Sequence, residues 1–210
     1  TNIIKKKISS MHKILVTGGY GLVGSEFNGS EYKKIGSKYC DLRDSHNTNS
    51  LFLQNSFDSV IHCAAKVGGV GGNMRYKGEF FYDNIMMGTL VMDYARRYNV
   101  KKIVALAAGC GYPLDLEVPY TENDFWNGLP QEESMGYSMG KKMLIVQSRT
   151  YRAQYGFNSS ILLPANLYGP NDNFDLEKSH VVPALIRKFL QAKKENIPIV
   201  EVWGTGNATR

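Results

Sequence analysis

The sequence lacks any long uninterrupted apolar stretch. Its 210 residues are 43% hydrophobic and 21% charged, but no run approaches the roughly 18–20 apolar residues that a membrane-spanning helix requires. The basic segment 1–10 leads only into the short apolar run Ile14–Val16, which is typical of a strand and not of a signal peptide. We therefore expect no membrane association, and we interpret residues 1–10 as an N-terminal extension before Met11.

Cysteine is also scarce. Only Cys40, Cys63 and Cys110 are present, and their odd number and irregular spacing do not indicate a metal site. Cys40 and Cys63 are typical of reduced packing residues. Reduced thiols favour a cytoplasmic location.

A concentrated basic stripe is absent as well. The formal net charge is +6, but the lysines and arginines are scattered and are not interleaved with aromatic residues as in a nucleic-acid-binding surface. We therefore expect no nucleic-acid partner. An anionic small molecule such as a nucleotide explains the charge equally well.

Glycine is concentrated near the N-terminus. The apolar run Lys13–Thr17 predicts a buried parallel strand, the loop Gly18–Gly24 follows it, and a helix is expected from about Leu22. Glycines at this place permit a tight turn and let backbone N–H groups approach a pyrophosphate at a helix N-terminus. The pattern predicts a dinucleotide site.

The segment after the second predicted strand favours one cofactor. That strand spans Glu31–Ile35, and an NAD-preferring protein would carry an acidic residue at its end to bind the ribose 2′-hydroxyl. Gly36–Lys38 stands there instead, with Lys33 and Lys34 close by. A hydroxyl and a cation suit a 2′-phosphate, so we favour NADP over NAD. Asp41 follows where it could meet the adenine edge.

Tyr137 and Lys141 stand four residues apart in a segment predicted to be helical, so they lie on one face, one turn from each other. A phenol, with an ordinary pKa near ~10, is a poor acid-base catalyst at neutral pH. A neighbouring cation stabilises the phenolate and lowers that pKa. The spacing is common by itself, but one domain-length after a dinucleotide loop it favours a nicotinamide-dependent oxidoreductase.

Predicted strands and helices alternate along the chain, which indicates an α/β fold with a Rossmann-like, doubly wound parallel sheet. We expect a dinucleotide-binding domain over 11–166 and the beginning of a smaller substrate lobe over 167–210, including a strand near Val202. Because the elements predicted over 167–210 do not complete this lobe, we interpret the chain as a truncated fragment. The further strands and helices are expected at Ser59–Ala64, Lys102–Ala107, Ser160–Leu163, 83–98, 136–155 and 180–194.

Over about residues 12–210 the motifs resemble the extended short-chain dehydrogenase/reductase family. The later motifs are more specific than the glycine loop. Besides that loop and the Tyr137–Lys141 pair, the motifs that carry the resemblance are Ala64–Gly69, Cys110–Pro113, Asn166–Asp172, Ser179–Ala184 and Val202–Gly206.

The resemblance implies a homodimeric enzyme that epimerises C3 and C5 of a GDP-linked 4-keto-6-deoxyhexose and reduces C4 with NADPH. It implies that Cys110 is the base and His180 the acid of epimerisation. Tyr137 would then protonate the C4 oxygen, while Lys141 tunes Tyr137 and holds the ribose. The helices at 83–98 and 136–155 would form the two-fold contact.

The resemblance also implies the binding residues. Those expected to contact NADP(H) are Gly18, Gly21, Leu22, Val23, Gly24, Lys38, Asp41, Ala64, Ala65, Lys141, Pro164 and His180. Those expected to contact the sugar nucleotide are Asn166, Arg187, Trp203 and Arg210.

Two positions depart from the family pattern. Ala108 stands where relatives present a serine that hydrogen-bonds the C4 oxygen, and losing one such donor costs roughly 3 kcal/mol of transition-state stabilisation. Tyr20 stands where some relatives carry a basic residue, which weakens the argument for NADP over NAD. Two alternatives therefore stay open: a related sugar-nucleotide epimerase with altered or lost 4-reduction, and a non-catalytic NADP-binding module. We also expect residues 1–210 alone to be inactive.

Overall fold

The computed structural model describes residues 13–117, 119–176, 179–202 and 204–205. The expectations for segment 1–10, Trp203 and Arg210 lie outside the described residues. Among the helices that are described, none is long and apolar enough to cross a membrane.

Five parallel strands form one sheet, in the order β2-β1-β3-β4-β5. The α/β, Rossmann-like fold is confirmed, and each strand that forms the sheet lies within two residues of its predicted bounds. The strands are β1 (Ile14–Thr17), β2 (Tyr32–Ile35), β3 (Ser59–His62), β4 (Lys102–Leu106) and β5 (Ser159–Leu162). The α-helices are α1 (Ser45–Leu53), α2 (Val70–Arg75), α3 (Lys77–Arg97), α4 (Met135–Tyr155) and α5 (Val181–Glu195).

One face of the sheet carries the hydrophobic core. Leu15, Val60 and Ile103 are aligned across β1, β3 and β4 and are fully buried. Right-handed crossovers place α1, α3 and α4 on this face. Helices α3 and α4 approach so closely that a Cβ atom on Gly88 would lie 2.5 Å from Leu144 Cδ2. This packing fixes α4, which carries Tyr137 and Lys141, against the sheet.

The connection from β1 to β2 is shorter than expected. The predicted helix from about Leu22 is wrong: only a three-residue 3-10 helix, Gly24–Glu26, forms there. A loop then turns through Gly29, whose φ of 143° is a backbone conformation that favours glycine. Since β2 already begins at Tyr32, the connection has no room for a helix long enough to cover the second face of the sheet.

The segment after β5 contains the predicted helix but not the predicted strand. Helix α5 (Val181–Glu195) is confirmed, and it leaves Ile186, Phe189 and Leu190 exposed. Within the described part, 201–202 belongs to no strand. The domain division at 166 stays a prediction.

Candidate dinucleotide and catalytic site

The glycine loop closes directly after β1. Gly18 has a φ of 64° and accepts a hydrogen bond from the Gly21 N–H at 3.0 Å. A Cβ atom on Gly24 would lie 2.2 Å from the Gly18 oxygen, and one on Gly18 would lie 2.8 Å from Ala64. The loop therefore needs bare backbone at Gly18 and Gly24 to fold against β3.

A cavity of about 670 Å³ opens beside this loop. Its lining includes eight of the residues predicted to contact the cofactor: Gly18, Gly21, Leu22, Val23, Gly24, Asp41, Ala64 and Ala65. The other four, Lys38, Lys141, Pro164 and His180, are not among its described lining residues. The glycine loop, the end of β2 and the end of β3 therefore meet at one site, at the carboxyl edge of the sheet, as ligand sites of parallel sheets do.

The lysines near β2 do not gather at the cavity. Lys33 Nζ donates to Asn55 Oδ1 at 2.8 Å, and Lys34 Nζ donates to the Ser25 carbonyl at 3.2 Å. Ser37 lines the cavity, whereas Lys38 is exposed in the adjacent turn. The hydroxyl of Ser37 and the nearby lysines suggested a 2′-phosphate site. Of these residues, Ser37 lies at the cavity and Lys38 lies beside it.

An arginine that sequence reasoning did not single out lies at the same end of the cavity. Arg43 donates to Asp41 and to Asp83, at distances between 2.8 and 3.1 Å. The bonds that Asp41 accepts from the Arg43 side chain, and then from the Arg43 backbone N–H, lower the pKa of Asp41 to about 2. Asp83 lies on α3, forty residues away, so no local sequence signal predicts this contact.

Tyr137 and Lys141 lie one turn apart on α4, as predicted. Lys141 Nζ is buried and donates to the Leu106 carbonyl at 2.9 Å and the Ala64 carbonyl at 3.4 Å. Burial lowers the pKa of Lys141 to about 8. Burial, followed by the influence of Cys110, raises the pKa of Tyr137 well above its ordinary value, so the expected lowering is absent from this geometry.

Cys110 lies in the 3-10 turn Gly109–Gly111, which two residues separate from the end of β4. The residue is exposed, and its sulfur accepts a hydrogen bond from Ser138 Oγ at 3.1 Å. Partial burial of the sulfur raises the pKa of the thiol, while the bond from Ser138 opposes that rise. Ala108, two residues earlier, is buried and offers no side-chain donor.

The remaining predicted residues surround the loop that follows β5. Pro164 lies beside the Cys110 turn, because its carbonyl oxygen would be 3.4 Å from a Cβ atom on Gly109. Asn166 is exposed on the loop, and His180 is exposed at the N-cap of α5. Arg187 donates to the Phe174 carbonyl at 2.8 Å, so it braces this loop.

Comparison with known proteins decides the family. Residues 14–210 match the NAD dependent epimerase/dehydratase family. The chain belongs to this family.

Within the epimerase/dehydratase family, the chain is 36% identical over 211 residues to the GDP-L-fucose synthase of Dictyostelium discoideum, covering 96% of this chain and 66% of that protein. The crystal structure of a GDP-L-fucose synthetase from Naegleria fowleri bound to NADP superposes with a TM-score of 0.83 at 32% identity, covering 95% of this chain and 68% of that one. A GDP-6-OMe-4-keto-L-xylo-heptose reductase from Campylobacter jejuni gives a TM-score of 0.81 at 28% identity, over 89% of this chain and 56% of that one. The chain thus spans about two thirds of the length of the curated relative.

Proposed function

We propose that the chain forms the cofactor-binding and catalytic part of an NADP(H)-dependent sugar-nucleotide 3,5-epimerase/4-reductase. The substrate would be GDP-4-keto-6-deoxymannose and the product GDP-L-fucose, or close analogues. The observation that carries the proposal is the position of Lys141, whose Nζ reaches the Ala64 carbonyl at the cavity wall. It connects the dinucleotide cavity to the helix that carries Tyr137.

The residues present fit a dinucleotide. Gly21 lines the cavity, and a Cβ atom there would meet only the Gly18 oxygen, at 3.5 Å, so its bare backbone leaves room for a ligand. The glycine loop would hold the pyrophosphate, Ser37 and Lys38 the 2′-phosphate, and Lys141 the nicotinamide ribose. When bound, NADPH supplies the hydride that reduces the C4 ketone.

Tyr137 suits the role of proton donor to the C4 oxygen. Because its pKa is raised, the phenol stays protonated at neutral pH and has a proton to give. Lys141, with a pKa of about 8, is charged in most molecules at neutral pH. It therefore places a positive charge near the developing alkoxide.

Epimerisation requires a base on one side of the sugar ring and an acid on the other. Cys110 would remove the C3 and C5 protons, and His180 would return protons from the opposite face. The raised pKa of Cys110 opposes this role, and the hydrogen bond from Ser138 supports it. Cys110 lies in the turn that follows β4, and His180 is exposed at the N-cap of α5.

Ala108 favours a second candidate function. Without a hydroxyl at this buried position, Tyr137 is left to polarise the C4 carbonyl alone. A related enzyme that epimerises a 4-ketosugar nucleotide but has altered or lost 4-reduction would tolerate this alanine. A non-catalytic NADP-binding module is the third candidate, and the presence of Tyr137, Lys141, Cys110 and His180 speaks against it.

To test the proposal, residues 11–210 are joined to the C-terminal third of a longer relative. This hybrid is then incubated with NADPH and GDP-4-keto-6-deoxymannose. Oxidation of NADPH with formation of GDP-L-fucose is the expected result. Isomerised ketosugar without NADPH oxidation would favour the second candidate, and NADPH binding without any product the third. A Cys110→Ser/His180→Ala double variant should lose epimerisation, and full activity of that variant would contradict these two roles.

A further inference from the structure

We propose that Arg43 is the platform on which the adenine ring of the dinucleotide stacks, and that Arg43 does not recognise a 2′-phosphate. This inference deepens the proposed function and rests on its cofactor assignment. Arg43 lines the cavity beside Ser37, at the end of β2. In a parallel nucleotide-binding sheet this end of the site receives the adenosine half of the cofactor.

Each nitrogen of the guanidinium already donates to a carboxylate. Nε donates to Asp41 Oδ1 at 2.9 Å and Nη2 donates to Asp41 Oδ2 at 2.8 Å. Nη1 donates to both carboxylate oxygens of Asp83, at 3.0 and 3.1 Å. All three nitrogens therefore donate to carboxylates, and the group is held in one orientation.

The local charge opposes an anionic ligand. Two carboxylates surround one cation, so the cluster Asp41–Arg43–Asp83 carries a net charge of −1, and a phosphate placed beside it would be repelled. The Asp83 side chain is only 5% exposed. If Arg43 turned toward a phosphate, it would leave a buried carboxylate unpaired, which is strongly unfavourable. Binding of a 2′-phosphate is therefore left to Ser37 and Lys38.

The flat face of Arg43 remains available. Its side chain is 43% exposed and belongs to the cavity wall although its nitrogens are occupied. A guanidinium with a fixed plane stacks well on aromatic rings. Adenine is a planar aromatic ring, and the apolar side chains of Leu42 and Met87 line the same cavity. Stacking on adenine is thus the contact that the geometry leaves open to Arg43.

Calorimetric titration of the 210-residue chain with NADP⁺, NAD⁺ and nicotinamide mononucleotide tests the inference. Arg43→Lys keeps a cation for Asp83 but removes the plane. We expect it to weaken NADP⁺ and NAD⁺ binding by the same factor, roughly five- to tenfold, and to leave nicotinamide mononucleotide unaffected. The matched control is Arg97→Lys, which alters an arginine ion-paired to Asp93 on α3, outside the cavity; it should change neither affinity.

Equal affinities of wild type and Arg43→Lys would overturn the inference, as would a loss of affinity confined to NADP⁺. If Arg43→Lys does not fold, Arg43→Ser/Asp83→Asn removes both charges of the ion pair together and should give the same equal weakening. Lys38→Ala tests the proposed 2′-phosphate site separately, because it should weaken NADP⁺ alone. Failure of the wild type to bind either dinucleotide would contradict the cofactor assignment, and the inference with it.

Discussion

The hydroxyl group of Ser138 controls the thiol that we propose as the base. Ser138 is fully buried on α4, and its Oγ lies 3.1 Å from Cys110 Sγ. A hydrogen bond to the thiolate stabilises it more than the thiol, so this contact lowers the pKa of Cys110. Ser138 is therefore a positioning residue for Cys110.

Replacing Ser138 by alanine should make Cys110 less reactive. Loss of the bond raises the pKa of the thiol, and we expect the alkylation rate of Cys110 by iodoacetamide near neutral pH to fall about fivefold. The rate is followed on the Cys110 peptide by mass spectrometry. Ser148→Ala, which removes a buried hydroxyl bonded to Ser159, is the control and should leave the rate unchanged. An unchanged rate in Ser138→Ala would contradict the role.

His62 makes the stability of the fold depend on pH. It is buried in β3 with Nδ1 2.8 Å from Thr17 Oγ1, and burial together with the charge of Lys141 lowers its pKa from 6.5 to about 3. Between these two values the unfolded chain binds a proton that the folded chain does not. The contribution of His62 to stability is therefore fully present above pH 6.5 and is lost as the pH falls toward 3.

We expect His62→Asn to flatten this dependence. Asparagine can keep the hydrogen bond to Thr17 but does not titrate. Between about pH 7 and about pH 5, the free energy of unfolding measured in urea should decrease by about 2 kcal/mol less in the variant than in the wild type. His46→Asn, on the exposed side of α1, is the matched control and should retain the wild-type slope. Equal slopes in wild type and His62→Asn would show that His62 does not carry the effect.

At the scale of elements, the glycine loop contains one glycine that folding requires, Gly24, and one that ligand binding requires, Gly21. A methyl group at Gly24 would lie 2.2 Å from the Gly18 oxygen, whereas at Gly21 the nearest atom would be 3.5 Å away. We expect Gly24→Ala to lower the unfolding free energy by more than 2 kcal/mol. Gly21→Ala should change stability little and weaken NADPH binding, because the methyl group enters the cavity.

Urea unfolding and calorimetric titration of both variants check this prediction. Gly78→Ala is the control, since a Cβ atom there meets nothing within 4 Å. Alanine in a helix is favoured over glycine, so this variant should be as stable as the wild type or more stable. A fully stable Gly24→Ala protein would contradict the described loop.

Helices α3 and α4 also carry the proposed dimer contact. They leave Phe81, Tyr82 and Val146 between 38% and 57% exposed. If a second copy covers this surface, Phe81→Asp buries a charge at the interface and should yield monomers of 23.5 kDa by light scattering. Leu53→Asp, at a more exposed apolar position on α1, should leave the dimer intact. A monomeric wild type would refute the contact.

The elements with regular apolar spacing could be predicted from the sequence. The contacts between residues that lie far apart in the chain could not. Buried strands such as Ser59–His62 and the long helix α4 were predicted closely because their apolar residues recur at strand or helix spacing. The prediction of a helix after Leu22 was wrong. The dinucleotide pattern implies a helix there, but only a few residues separate Gly24 from Tyr32, where β2 begins. The contact between Arg43 and Asp83 joins two elements far apart in sequence, so only the folded chain reveals it.

At the scale of the whole molecule, the cavity belongs to one half of the chain. All of its lining residues in the described part of the chain lie between Gly18 and Met87, whereas Cys110, Tyr137 and His180 come from later segments. The last helix, α5, exposes apolar side chains such as Phe189, and the curated relatives are longer than this chain. On the proposed function, we expect cofactor binding to depend chiefly on this half of the chain, and substrate binding to depend on the later segments and on the part of the relatives that this chain does not span.

We accordingly expect the 210-residue chain to bind NADPH but not to turn over. A sugar nucleotide that is held on one side only keeps its bound water and its freedom of orientation. Both slow catalysis strongly. Calorimetric titration should detect NADPH binding, and absorbance should show no NADPH oxidation with GDP-4-keto-6-deoxymannose. The hybrid with the C-terminal third of a relative should bind NADPH with similar affinity and oxidise it. Turnover by residues 1–210 alone would show that the described residues already enclose the substrate, and would contradict this division between the two parts of the site.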